Sequence, residues 1–415
     1  MPKILEANDP LGKSLHIGPH IFPGVWRYAM PREFLHLQFP DERRATCMNC
    51  PKSAYESYRK DYRCCTYHPR IPNYLIGLAW DEGSAQPAIQ KIIDDGWVTP
   101  EGMNGTPQQW LDYLADVEHD RFGKSDKVLC PMLDKPTGLC RVHAFRNSVC
   151  STFFCLKDHG ELGDGFWGKV QTLGSQVETS LAQWSLRELG FDLDRYIKRF
   201  NRLAPKIKKL ADPVTGGWLP EVQEELWGDW ADRKVELFLA TAQLISEHRD
   251  ELWDIANSQE IMEASKFDQA MVRMVPKELE GQVDEGDWEE GGEMVFPREL
   301  WKRCFQSYQK LWDIKYGGYR LARKVAIREN AGESAEDQYY AKYPFCLEYR
   351  AGSRSKEVEW RRYLSQDEKS LLDQFTAGQT LDWRLISQVK HQTEMDVRRF
   401  LAEMVASRVL MKSSQ

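Results

Sequence analysis

The sequence predicts a mainly α chain: a cysteine-rich metal-binding domain, a helical middle region and a small C-terminal α+β domain. Three observations predict it. Eight of the ten cysteines fall between Cys47 and Cys155. From Val170 onward, apolar residues recur at the i, i+3, i+4 spacing of helices. Toward the C-terminus, strand-like runs alternate with short capped helices.

With 415 residues and 48.3 kDa, the chain exceeds one ordinary core, and about two to four units are expected. It is 42% hydrophobic and 29% charged, which excludes a mainly disordered, collagen-like or membrane protein. The 56 basic and 63 acidic residues give a formal charge of −7. A general nucleic-acid coat is not expected, because neutralising phosphates needs a basic surface. Residues 1–10 lack the apolar run and cleavage pattern of a secretory leader. Nowhere do about 18 apolar residues run together. The expected compartment is the cytoplasm, where thiols stay reduced and patterned cysteines more often bind metal or do redox chemistry than form disulfides.

Residues 1–45 hold six prolines and little periodicity, and read as an N-terminal arm. Residues 46–160 form the cysteine-rich domain. Its first cluster is Cys47-x2-Cys50-x13-Cys64-Cys65, and its second is Cys130-x9-Cys140-x9-Cys150-x4-Cys155. Thiolates are soft ligands, suited to zinc and to iron–sulfur clusters. A Cys-x2-Cys pair turns tightly enough for both sulfurs to reach one ion, and eight clustered thiols are a stronger signal than one pair. The adjacent side chains of Cys64 and Cys65 diverge, so they are expected to serve different metals, different irons of one cluster, or only one to ligate. The competing reading is burial as small hydrophobes. It fits Cys304, on an apolar helical face with Trp301, Phe305, Tyr308 and Trp312, and Cys346, in the strand-like run Phe-Cys-Leu-Glu-Tyr.

His68, His143 and His159 are near enough in sequence to ligate a metal or to orient its ligands. Residues 41–75 carry seven basic and four acidic groups, a net +3. That suits an anionic cluster or ligand, and equally an ordinary solvated face. Between the clusters, 87–95 and 106–119 are expected as short helices, the second with Trp110, Leu111, Leu114 and Val117 on one face.

Cys130-Pro131-Met132-Leu133-Asp134, Gly138-Leu139-Cys140-Arg141-Val142-His143 and Arg146-x3-Cys150-x4-Cys155 together resemble the second half of the YkgJ-type zinc- or iron-chelating domain. That family's first half is a compact four-cysteine motif ending in Cys-Cys. Cys47, Cys50, Cys64 and Cys65 fill that role here, with a longer spacer before Cys64. The resemblance covers residues 45–160 and implies a metal site on the eight cysteines. The flagellin lysine-N-methylases are similar in joining such a domain to a helical region, and are linked to an iron–sulfur cluster. The resemblance therefore implies an iron–sulfur cluster, of the 4Fe–4S type, with zinc as the alternative. No glycine-rich loop of the Rossmann methyltransferases is present, so methyl transfer rests on analogy alone.

Residues 161–335 read as a helical domain. Val170, Leu173, Val177, Leu181 and Trp184 define one amphipathic helix. A second is expected over 193–210, with a kink at Pro205, and a third stretch over 221–256 with a break. Trp218, Trp227, Trp230 and Trp253 read as packing anchors. Residues 278–293 carry eight acids, four glycines and no base, the composition of a solvated loop or of a segment docking on a basic surface. A helix is expected from Pro297 to Ile327.

In 344–415, a hairpin of 345–350 with 358–363 is followed by three helices. Ser365 with Glu368 is a capping-box pattern. Helices at 381–389 and 394–407 follow, and Val409-Leu410-Met411 reads as a last strand. The arrangement resembles a winged helix. Its charge of twelve Lys or Arg against ten Asp or Glu is nearly balanced. Arg398, Arg399 and Lys390 suit phosphate, but Glu394, Asp396 and Glu403 repel it, so a protein or peptide partner is favoured over nucleic acid. The functional expectation is an iron–sulfur protein acting in modification of a protein or peptide. The alternatives are a zinc-stabilised interaction module and a metal- or redox-sensing regulator without catalysis. No Ser/His/Asp order, P-loop or paired-carboxylate motif assigns catalytic residues.

Overall fold

Residues 3–40, 42, 62, 65–119, 123–154, 160–203, 211–265, 295–334, 337–338, 340–391 and 397–413 are described by a computed structural model. They form a mixed α+β protein, about half helical, with several small antiparallel sheets. Helices dominate as expected, but the sheets reach further along the chain than a mainly α reading allows. Among the described residues, no helix is long and apolar enough to cross a membrane. The described residues fall into two units, one drawn from 1–39, 59–153 and 169–302, the other from 40–58, 154–168 and 303–415. The acidic run 278–293 and the segment with Pro205 lie outside the described residues.

In the first unit, the proline-rich opening holds a hairpin, β1 (Leu15–Ile17) with β2 (His20–Phe22). Phe22 then stacks on Trp26 with ring centroids 5.2 Å apart, and Phe34 meets both edge-on. All three are buried. Strand β3 (Ile71–Pro72) leads into helix α1 (Asn73–Glu82), then α2 (Gln86–Asp94). Strands β4 (Val98–Thr99) and β5 (Gly102–Met103) close a three-stranded sheet in the order β3-β5-β4. Gly102 has φ +127°, and a Cβ there would lie 2.1 Å from the Ile71 carbonyl oxygen, so only glycine fits.

Helix α3 (Pro107–Glu118) begins at a capping box between Thr106 and Gln109. Its expected apolar face is only partly covered: Val117 is 47% exposed. Then come α4 (Ser148–Thr152), α5 (Gly160–Glu188), whose residues from Lys169 on belong to this unit, α6 (Leu193–Leu203), α7 (Pro220–Trp227) and α8 (Lys234–Glu247). Val170, Leu173, Val177, Leu181 and Trp184 of α5 are all buried, as their periodicity predicts. Gly228, with φ +54°, caps α7 and makes the expected break before α8. Helices α1 and α8 pack closely at Gly77, where a Cβ would lie 1.9 Å from the Phe238 carbonyl oxygen. The absent side chain is what lets the backbones approach.

In the second unit, helix α9 (Pro297–Trp312) stops fifteen residues short of the expected Ile327. Gly317 and Gly318 break the helical pattern, and the β-branched and aromatic alternation after them makes β8 (Gly317–Leu321) and β9 (Val325–Glu329). Strands β10 (Phe345–Arg350) and β11 (Val358–Leu364) form the expected hairpin, and β9 pairs β10 to give the order β11-β10-β9. Ser365 caps α10 (Gln366–Asp373) through the expected box with Glu368. Strand β12 (Gln379–Leu381), α11 (Trp383–Lys390), α12 (Val397–Ala406) and β13 (Leu410–Lys412) complete the unit, with β12 and β13 flanking β8. Leu347, Leu364, Leu372, Phe375, Leu381 and Leu401 fill its core. Arg362, 3% exposed, lies between Glu368 and Glu403, 2.8 Å from the latter.

Candidate thiolate site and adjoining cavity

Cys65, Cys130, Cys140 and Cys150 come together in the first unit from three chain segments. The Cys130 amide donates to the Cys65 carbonyl at 2.7 Å, fixing the two segments side by side. Strands β6 (Leu133–Asp134) and β7 (Leu139–Cys140) form a tight hairpin in which Leu133 pairs with Cys140. Its turn is closed by Gly138, at φ +65°, and by Asp134, which accepts from Thr137 and Arg141. The Leu133 amide bonds back to the Cys130 carbonyl at 3.1 Å, so the hairpin carries Cys140 toward Cys130. Asn147 then caps α4 by accepting from the Cys150 amide at 3.0 Å. Arg146 ties this segment to Ile21, donating to its carbonyl at 2.8 Å.

Burial pushes the Cys130 thiol well above its ordinary range, and the neighbouring Cys140, Cys65 and Cys150 sulfurs push it further. Cys150 is raised first by burial and next by Cys140. Burial also raises Cys140, while a backbone hydrogen bond and Arg146 oppose the rise. A soft cation among them would reverse this, since a coordinating thiol is deprotonated outright. The donor chemistry therefore fits a thiophilic centre. Among the described residues, however, no three His, Cys, Asp or Glu side chains stand in a metal-holding arrangement. Cys47, Cys50, Cys64, Cys155 and His159 lie outside the described residues. Cys304 and Cys346, expected as core, are fully buried in the second unit.

The two remaining histidines take different surroundings. Burial and the charges of Arg146 and His16 hold His143 down at about 4. Burial also lowers His68, which packs on Trp97 with ring centroids 4.7 Å apart. Its Nε2 lies 3.2 Å from the Leu129 carbonyl. A carbonyl only accepts, so Nε2 carries the proton and Nδ1 is the acceptor.

A cavity of about 180 Å³ adjoins the thiols. Tyr67, two residues after Cys65, and Ser148, two before Cys150, both line it. Burial raises the Tyr67 hydroxyl to about 12, and the nearby Cys150 adds to the rise. The opposite wall is a polar stripe of α5 that includes Ser175, Glu178, Thr179 and Gln183. These positions recur at i+3, i+4 and i+8, one face of the helix.

Glu178 accepts from the Trp26 indole at 3.2 Å, the Ser148 amide at 3.0 Å and the Ser148 hydroxyl at 2.9 Å. Burial outweighs these bonds and raises its carboxyl to about 7. Because the Ser148 proton points to Glu178, Ser175 is the donor in the 2.7 Å contact between the two hydroxyls. Further along, Glu101 accepts from Gln183 Nε2 at 2.8 Å and from the Tyr196 hydroxyl at 3.1 Å.

Sequence reasoning missed Glu101, Glu178 and Gln183. A signal existed. Helix α5 carries polar residues on a stretch with no charged face to water, and Gln176, Glu178, Ser180, Gln183 and Ser185 are all buried. Polar groups inside a wholly covered helix need partners or a ligand.

No family model matches the chain, and no match is found among the curated proteins or the solved structures. The protein is therefore described by what its site contains: Cys65, Cys130, Cys140 and Cys150 near one another, beside a partly open cavity of about 180 Å³.

Proposed function

We propose that the protein is a cytoplasmic iron–sulfur protein that acts in modification of a protein or peptide. The observation that carries this reading is the convergence of Cys65, Cys130, Cys140 and Cys150 beside a cavity. With Cys47, Cys50, Cys64 and Cys155 they make the eight-thiol set that resembles the YkgJ-type chelating domain, and these residues would hold the cluster, of the 4Fe–4S type. When bound, such a cluster supplies one-electron chemistry or a Lewis-acidic iron. The chain's own part is to bury the sulfurs, to shape the cavity and to fix its polar groups. Glu178 holds Ser148, and so the start of α4, in place; Tyr67 and Gln183 both line the cavity.

Residues 344–415 are proposed as a winged-helix-like docking module for the protein or peptide partner. Arg399, one of the three basic residues suited to phosphate, bonds to Glu403 at 3.2 Å and lies over the Trp312 ring. That internal use supports a protein partner over nucleic acid. Trp383 offers an apolar contact, being 63% exposed at the start of α11.

The test is anaerobic purification followed by iron, zinc and acid-labile sulfide analysis with an absorption spectrum. Bound iron and sulfide with broad absorbance at about 400 nm is the expected result. Colourless protein with stoichiometric zinc would sink the iron–sulfur assignment and favour a zinc-stabilised interaction module.

A further inference from the structure

We propose that the cavity between Tyr67 and α5 is a binding site for a nitrogen-donor group, one that offers two or more N–H bonds. Two buried acceptors carry the argument. Gln183 is 1% exposed and lines the cavity, yet its Oε1 has no hydrogen-bond partner. Its amide cannot turn to relieve this, because Nε2 is held by Glu101 at 2.8 Å. His68 lines the same cavity, and its Nδ1 is also buried without a hydrogen-bond partner. Gln109 lies beside the ring, but no bond of normal geometry reaches Nδ1. Since Nε2 faces the Leu129 carbonyl, Nδ1 can only accept.

An unmet buried acceptor costs about 1–3 kcal/mol. Water can fill the resting cavity, which has room for several molecules. A ligand that displaces this water must bring donors of its own. The Glu101 carboxylate stands next to the Gln183 acceptor and has spare lone pairs beyond its bonds from Gln183 and Tyr196. At the Gln183 and Glu101 end an oxygen acid offers the wrong complement, bringing acceptors to acceptors, although Arg70 also lines the cavity. Amides, amines and guanidines match it. The proposal does not depend on which metal the thiols hold.

The test uses the full-length protein as purified, with its metal content measured in parallel. Methylammonium, guanidinium and acetamide are titrated calorimetrically or by amide chemical-shift changes, with acetate as the contrast. The expected result is saturable binding of at least one nitrogen donor and none of acetate at the same concentration. Gln183→Met keeps the side-chain volume and removes the acceptor; it should weaken that binding by about tenfold while metal content stays unchanged. A short peptide carrying the preferred group separates the two sources: tighter binding than the free probe places the group on a side chain, and equal binding places it on a free small molecule. Acetate binding as well as the donors, or no binding of any nitrogen donor, overturns the proposal. So does an unchanged affinity in a folded Gln183→Met protein.

Discussion

Glu178 offers a direct test of the cavity's electrostatics. Its carboxyl is 4% exposed, and burial raises it from 4.5 to about 7 despite three donors. In the unfolded chain it loses its proton near its ordinary value. Between those two points the folded state therefore holds more protons than the unfolded state, and stability falls as pH rises. A carboxyl raised from 4.5 to about 7 corresponds to about 3 kcal/mol. That contribution is complete below pH 4.5 and lost above pH 7. Glu178→Gln cannot titrate. The assay is urea unfolding of both proteins from pH 4.5 to 8, monitored by tryptophan fluorescence. Wild type minus variant stability should drop by about 3 kcal/mol across the window. Parallel curves would show that Glu178 is solvated in the folded protein, and the account of its burial would fail.

Gly77→Ala should destabilise the first unit by about 3 kcal/mol, the upper range for overpacking, because the new Cβ meets the Phe238 backbone rather than a movable side chain; a thermal melt unchanged within error would refute that helix contact. Arg362→Met should cost about 3–5 kcal/mol by taking the buried cation away from between the Glu368 and Glu403 carboxyl groups. Denaturant unfolding checks it, and a loss under about 1 kcal/mol would mean water reaches the pair. Among the cysteines, Cys140→Ser and Cys150→Ser should lose bound metal, whereas Cys304→Ser and Cys346→Ser, both in the core, should keep it; metal analysis of the four purified variants decides.

Features set by local chemistry were legible in the sequence. The Ser365 box, the apolar face of α5 and the hairpin of β10 with β11 each depend on residues a few positions apart. The end of α9 was misjudged because its continuation is set from afar. Strand β8 is held by β12 and β13, whose sequences lie about sixty and ninety residues on. At the site, spacing marked the cysteines as a group, but it could not show that Cys65 meets Cys130 through a backbone bond. The cavity was invisible for a related reason. Glu178 and Gln183 look like the wet side of an amphipathic helix until Trp26 and Ser148 bond the first and Glu101 accepts from the second.

The central claim is that the gathered thiols hold an iron–sulfur cluster. Iron and acid-labile sulfide per chain, measured on anaerobically prepared wild type and on a variant with Cys65, Cys130, Cys140 and Cys150 all changed to Ser, test it most directly. The account predicts iron and sulfide in the wild type and their loss in the variant. Equal content in the two proteins, or wild type free of iron and sulfide, would contradict it.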